Sequence, residues 1–587
     1  MSPLTGKFQS PATKPHEPNL EDTANAAAPC HDLLDRVRDD LRSQRSAFQT
    51  PFGTRPLIYA DYTASGRALS FIEDNICSQV LPSYANTHSE PSYTGSRTNG
   101  LREAARAAVR RSVNGTQQDK VLFCGAGATG AINRLIDILG LRLPALLDER
   151  YALLERIPEA QRPVVFVGPY EHHSNELPWR ESIADVVRIR LDDDGQIDQT
   201  ALRAGLEAHR DRPTLIGSFS AASNVTGVKS DVAAITAMLK SAGALAFWDY
   251  AAAGPYVAID VNRDGAAMDA VFISPHKFVG GPGTPGVLVV KEALLSNRVP
   301  AVVGGGTVSY VSPDSHRYVE NLERREEGGT PAIVEAIRAG AVFALKDGMG
   351  AERIEAIEHQ LVRRALTHFA QVSEIEVLGP DSERRLGIFS LRFRYGHRDL
   401  HHGFVTALLN DLFGIQARGG CSCAGPYGHD LLGLGRSTSE SLDALVERGY
   451  DCLKPGWVRI NLHFAAGDEE IDYLLQALAL VAEHGWRLLP SYALEPSRGI
   501  WRHRDAATRE PVRITELLRA QTQSPSPRSA AVPDLGATMN TAREILVAGA
   551  PLQHCEAALA EPGLPEAVDE FRWFESSGAA ARQLMGA

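Results

Sequence analysis

No apolar run in the chain approaches the ~20 residues that a membrane-crossing helix needs, which argues against a membrane function. The first residues lack a charged stretch followed by an apolar one, so no secretory leader is expected. Cysteine is sparse, seven in 587 residues, too few for a disulfide framework. Most of these cysteines read as buried thiols of a reducing compartment, and a cytoplasmic location is expected. Positive charge is also scarce. Sixty Lys and Arg face 72 Asp and Glu, and the net charge of -12 argues against nucleic-acid binding, which favours basic surfaces. The glycines of residues 280–286 are not followed by Gly-Lys-Ser/Thr, so they make no nucleotide-binding P-loop. What remains is the composition of an ordinary globular protein long enough for two or three domains.

Residues 271–290 organise what is there. Val271-Phe272-Ile273 is an apolar run that ends in Ser274-Pro275-His276-Lys277, followed by a Gly/Pro turn and a second apolar run, 287–290. Strand, turn, strand is the reading with a mechanism. It puts a lysine at a strand end, where it can form a Schiff base with a carbonyl cofactor while Ser274 and His276 hold a phosphate. A surface lysine beside a loop is the bland alternative. A second buried-type strand, 245–249, ends in Asp249. Strand carboxyl ends gather at the ligand crevice of open α/β sheets, and an aspartate there can pair with a pyridinium nitrogen. Lysine and aspartate so placed are what pyridoxal phosphate chemistry requires.

Other stretches add to this. Residues 121–130 read as a strand, a Gly-rich turn and the start of an amphipathic helix, whose unpaired N–H groups suit phosphate. Thr129 adds a hydroxyl there, although a threonine N-cap alone would account for it. The strand over 164–167 runs into Glu171-His172-His173. An imidazole can stack on a pyridine ring or move protons. Paired histidines can also bind metal, but no further ligands at suitable spacing accompany them, and no metal is expected. Asn224, at a strand end, can donate to a cofactor oxygen and a substrate carboxylate, or simply form an Asx turn. Asp231 caps a helix ending near Gly243. Strands and helices alternating over 121–290 indicate a mostly parallel sheet with helices on both faces. Thr330-Pro331 reads as N-cap and N1 of a helix. Residues 388–393 alternate as a half-exposed strand. In Arg418-Gly419-Gly420-Cys421-Ser422-Cys423 a mobile, exposed thiol sits near an arginine that favours its thiolate, and no second cysteine pair completes a zinc site.

Taken together, Ser274-x-His276-Lys277 with its Gly/Pro turn, Glu171-His172-His173-x-Asn175, Ser223-Asn224-Val225-x-Gly227 and the Cys423 loop resemble class V aminotransferase-fold enzymes. Within them they resemble the cysteine desulfurase and selenocysteine lyase group, over roughly residues 50–485. The resemblance implies the fold type I pyridoxal-phosphate architecture: a large, mostly parallel-sheet α/β domain and a smaller α+β C-terminal domain. It implies that Ala128 and Thr129 lie in the phosphate loop and that His172 stacks on the cofactor. It also implies that Cys423 accepts sulfur and that Arg459 grips the substrate carboxylate as a bidentate fork. The family's equivalent of Thr330 reaches the neighbouring subunit's cofactor phosphate, which implies a homodimer. Asp61 and its neighbours resemble the family's entry loop beside the substrate, and Asn86-Thr87-His88 resembles the N-x-H segment that follows it. Ala252 departs from the pattern, standing where the family has a glutamine that contacts the cofactor.

The expected organisation is a disordered tail over 1–30 and a large domain over 31–340, with 31–55 packing on the small domain. The small domain spans 341–488, and an extension over 489–587 carries a Ser/Pro-rich linker near 521–533 and helical patterns near 541–548 and 566–574. The expected activity is a C–S or C–Se lyase acting on L-cysteine or a similar amino acid. It releases alanine and passes sulfur through Cys423, from which an acceptor protein could take it. Alternatives are an aminotransferase, epimerase or other lyase on a different amino acid, or a scaffold that keeps only the fold.

Overall fold

A computed structural model describes residues 32–87, 89–507, 511, 513–515 and 531–586. The expected tail, His88 and most of the expected linker lie outside these residues. The central sheet has seven strands, in the spatial order Asp119–Cys124, Gly286–Lys291, Ala270–Ile273, Leu245–Asp249, Leu215–Ser220, Val164–Val167, Asp185–Arg188. Gly286–Lys291 runs antiparallel to both neighbours, and the other pairings are parallel. Strands such as Val164–Val167 are buried at every position, because both faces of such a sheet are covered. Successive side chains serve opposite cores. Val121, Phe123, Val164 and Phe166 enter one, and Leu122, Cys124, Val165 and Val167 enter the other. The register sets Ser220 beside Asp249, and Asp249 beside Phe272, just before Ser274. The chemistry-bearing residues therefore meet at the carboxyl edge.

A second antiparallel sheet joins Ile375–Val377, Ile388–Tyr395, Trp457–Asn461 and Arg418–Gly420. Residues 388–391 are buried rather than half-exposed. Their alternation separates two cores instead of core and water. Phe389, Leu391 and Phe393 face the small core, whereas Ile388 joins the large one and Ser390 Oγ donates to Val225 O at 2.7 Å.

The helix Leu33–Ser43 buries Leu34 and Val37 in the large core, and only the following segment reaches the small one, through Phe52, Ile58 and Ala60. Ile58–Tyr59 pairs in parallel with Ile415–Gln416. The helix after Pro331 starts later than expected. It spans Ile333–Met349 with Ala332 at the N-cap and no side-chain cap, so Thr330 is not its capping residue.

Beyond the small sheet, a hairpin of Tyr492–Glu495 and Ile500–His503 leads to the helices Leu535–Ala548, Leu552–Ala560, Glu566–Asp569 and Ser577–Met585. Leu535, Met539, Ala542 and Leu546 enter the small core. The helix expected over 566–574 stops at Asp569. Trp573 O instead accepts from Asp399 N–H at 3.2 Å, and Asp399 O accepts from Glu575 N–H at 2.9 Å, extending an edge of the small sheet.

Candidate active site

A cavity of about 230 Å³ opens at the carboxyl edge of the large sheet, lined among others by Thr129, His172, Asn224, Asp249, Lys277 and Cys423. Lys277 stands in the 3-10 turn Pro275–Lys277, directly after Ala270–Ile273. Burial lowers its amine to about 8, and Arg459 and Arg418 push the same way against Asp249 and Asp61. Asp249 is buried and shifted upward by desolvation. Ala251 N–H, donating to its Oδ1 at 2.7 Å, and the Lys277 charge oppose that shift.

At one end of the cavity the helix Gly127–Ile138 begins. Its N-cap, Ala126, has no capping side chain, so the first-turn N–H groups are not claimed by their own cap. The N–H of Ala128 donates to Ser274 Oγ at 2.9 Å. Gly127 sits at φ +54°, and a Cβ there would come within 2.9 Å of Ser274 Oγ and 3.4 Å of His276 Nε2. His276 is lowered to about 4 by burial and by the Lys277 charge, with its Nδ1 3.4 Å from Ser65 Oγ. Helix end, serine, imidazole and threonine thus converge on one small volume.

His172 caps the helix His173–Arg180 and is lowered to about 3, by burial first and then by Lys277, His173 and Arg459. Its Nδ1 accepts the Ser174 N–H at 3.1 Å, so the neutral ring carries its proton on Nε2. Ser174 Oγ also lies 3.0 Å from that nitrogen and 2.6 Å from Thr129 Oγ1, which ties the imidazole to the start of the helix Gly127–Ile138. Behind it, Glu171 is raised to about 7 by burial and accepts from Ser220 Oγ and Asn175 Nδ2 at 2.6 and 2.7 Å. Neither Ser174 nor Glu171 was singled out by sequence reasoning, although both sit in the same short string as His172.

The mouth is built from the small sheet. Arg459 donates to Asp61 Oδ1 at 2.9 Å and to Asn224 O at 3.1 Å, while its buried Nε has no partner. Arg418 Nε donates to the other oxygen of Asp61 at 3.0 Å. Asp61 therefore holds two guanidiniums at the cavity, a function its motif did not reveal. Asn224 Nδ2 donates to Ser422 O at 2.7 Å, and His173 N–H donates to Cys423 O at 2.9 Å. Gly425 N–H donates to His173 Nε2 at 3.0 Å. The cysteine loop expected to be mobile is thus pinned on both sides of an exposed Cys423, which lines the cavity.

Ala252 lines the wall of the cavity. Thr330 is not among the lining residues. It is exposed, and its Oγ1 accepts from Asn86 Nδ2 at 3.2 Å.

Fold and cavity together define an enzyme of the class built around a strand-end lysine. A family model for aminotransferase class-V matches residues 58–474, and the chain belongs to that family. A probable cysteine desulfurase of Streptomyces coelicolor is 28% identical over 403 residues, covering 67% of this chain and 91% of the relative. The cysteine desulfurase of Dickeya dadantii is 28% identical over 402 residues, covering 68% and 89%. Among solved structures, the cysteine desulfurase of Thermococcus onnurineus NA1 aligns with a TM-score of 0.59 at 24% identity, covering 73% of this chain and 95% of that one. The Escherichia coli cysteine desulfurase CsdA aligns at 0.56 and 22%, covering 74% and 97%. Both have the same fold.

Proposed function

We propose that the chain is a pyridoxal-phosphate enzyme of the cysteine desulfurase type, converting L-cysteine and the Cys423 thiol into alanine and a Cys423 persulfide. The observation that carries this reading is the convergence of an exposed cysteine on the cavity of a half-buried lysine and a buried aspartate. The names of the relatives support it.

The donor set fits the cofactor. Lys277 is an amine held partly unprotonated near neutral pH, Asp249 is a buried carboxyl for the ring nitrogen, and Ala128, Thr129, Ser274 and His276 suit the phosphate. When bound, pyridoxal phosphate supplies a carbonyl for Lys277 and an electron sink for bonds broken at the substrate's α and β carbons. Lys277 is placed to move protons at those carbons. His172, held neutral, offers Nε2–H as a hydrogen-bond donor. Arg459, anchored by Asp61, lines the cavity with Asn224 beside it and is placed to grip the substrate carboxylate. Cys423 Sγ attacks the substrate sulfur, and its S–S bond forms as the substrate's Cβ–S bond breaks.

A homodimer fits the position of Thr330, exposed and outside its own chain's cavity. A cytoplasmic setting, with an acceptor protein taking the sulfur, fits the free state of all six described cysteines. Among the described residues no helix is long and apolar enough to cross a membrane.

The second reading, transamination or another lyase reaction on a different amino acid, draws on Ala252, which removes one polar contact from the wall. The mass of the Cys423 peptide after incubation of cofactor-loaded protein with L-cysteine separates the two, with Cys423→Ser as control. One added sulfur with alanine formed is expected. An unmodified Cys423 and no alanine, in protein that retains its bound cofactor, would overturn the desulfurase reading.

A further inference from the structure

The C-terminal extension carries chemistry that the cavity does not use. The strand Ile500–His503 ends in a buried imidazole, and Asp505 follows two residues later. His554, also buried, comes from the helix Leu552–Ala560. His554 Nε2 lies 3.2 Å from Asp505 Oδ2, and His503 Nδ1 lies 4.0 Å from the same oxygen. One ligand atom of each residue lies within 4.8 Å of the others. We propose that His503, Asp505 and His554 form a divalent-metal site of the zinc class that fastens this helix to the hairpin, with water completing the coordination.

Two imidazoles and a carboxylate are a donor set that zinc accepts. With metal–ligand bonds of about 2.0–2.1 Å, neighbouring ligands of a tetrahedron stand roughly 3.3 Å apart, so separations that all lie within 4.8 Å close by at most about 1.5 Å. An outer bond is already in place. His554 Nδ1 is 3.0 Å from Ser491 Oγ, which turns Nε2 toward Asp505, as metal-ligating imidazoles are ordinarily held. The nearby cation, Arg504, is engaged by Glu561 at 2.6 Å and by Pro490 O at 2.7 Å. One existing bond has to give way: Asp505 N–H donates to His503 Nδ1 at 3.2 Å. The row Ser491, His554, Asp505 also has the order of a hydrolytic relay. Ser491 is only 1% exposed, however, so substrate does not reach its hydroxyl.

The test uses full-length, cofactor-loaded protein stripped with a chelator and titrated with ZnCl2, followed by calorimetry, metal analysis and thermal unfolding. Wild type is expected to bind one equivalent more than His554→Gln or Asp505→Ala, or to bind it about tenfold or more tighter, and only wild type should gain thermal stability with zinc. Because Asp505 is exposed, Asp505→Ala keeps the test decisive if the buried His554 variant fails to fold. Equal zinc uptake and equal affinity in wild type and Asp505→Ala, or no uptake by wild type, would overturn the site.

Discussion

Lys277 carries a desolvated amine whose neighbours disagree about its charge. Asp249 and Asp61 favour the ammonium, while burial, Arg459 and Arg418 disfavour it, and the outcome is about 8 against 10.5 for an ordinary lysine. Only the neutral amine attacks a carbonyl. The rate at which cofactor-free protein takes up pyridoxal phosphate should therefore climb with pH and level off above about 8. Stopped-flow absorbance from pH 6 to 11 checks this, and a rate still climbing at pH 10 would contradict the assignment. The Arg459–Asp61 pair has the same character of two strong groups sharing a small space. Asp61 holds the guanidinium through one of its terminal nitrogens, so in the proposed reaction the side chain would be aimed before substrate arrives.

At the scale of elements, the turn 421–424 positions the thiol. Ser422 and Cys423 both have positive φ, 55° and 57°, a conformation that costs a non-glycine residue roughly 1–2 kcal/mol. Ala424 N–H closes the turn on Cys421 O at 3.3 Å. A β-branched residue tolerates this conformation worst. Ser422→Val should slow persulfide formation about tenfold or more while leaving cofactor absorbance unchanged; an undiminished rate would mean that the turn does not aim the sulfur.

Helix Ala351–Phe369 carries a second constraint. Its buried Glu358 accepts Gly387 N–H at 2.9 Å and is raised by burial to about 8 from 4.5. Between these values the native state holds a proton that the unfolded state has released. The contribution to stability is therefore complete below about 4.5 and disappears as pH passes 8, at about 1.4 kcal/mol per unit. Glu358→Gln should remove that slope, leaving the variant more stable than wild type above pH 8 in urea titrations.

The strands that hold Lys277, Asp249 and His172 were legible because each is a local run ending in a distinctive residue. Contacts between distant residues were not legible. Asp61 meets Arg459 across 398 positions, and the small-sheet strand at 388–391 alternates between two cores that only the assembled chain provides. Thr330-Pro331 has the residues of a helix start, but the loop joined to Gly305 through Gly329 N–H at 2.8 Å holds Thr330 outside the helix.

For the whole molecule, the proposed homodimer would be completed through that same loop. Val302, Val303, Tyr310 and Val311, which flank residues 304–306 in the chain, are 40%, 59%, 61% and 62% exposed. Water is a poor neighbour for such side chains, and in the proposed homodimer a second copy would cover them while bringing Thr330 to the other cavity. Tyr310→Asp combined with Val303→Asp should convert a dimer into a monomer in light scattering and loosen the cofactor. Thr330→Ala should keep the dimer but weaken cofactor retention by about tenfold, the loss of one hydrogen bond to a charged group. If the double variant were monomeric with undiminished cofactor affinity, Thr330 would have no part in the neighbouring site. A monomeric, fully active wild type would refute the shared-site arrangement altogether.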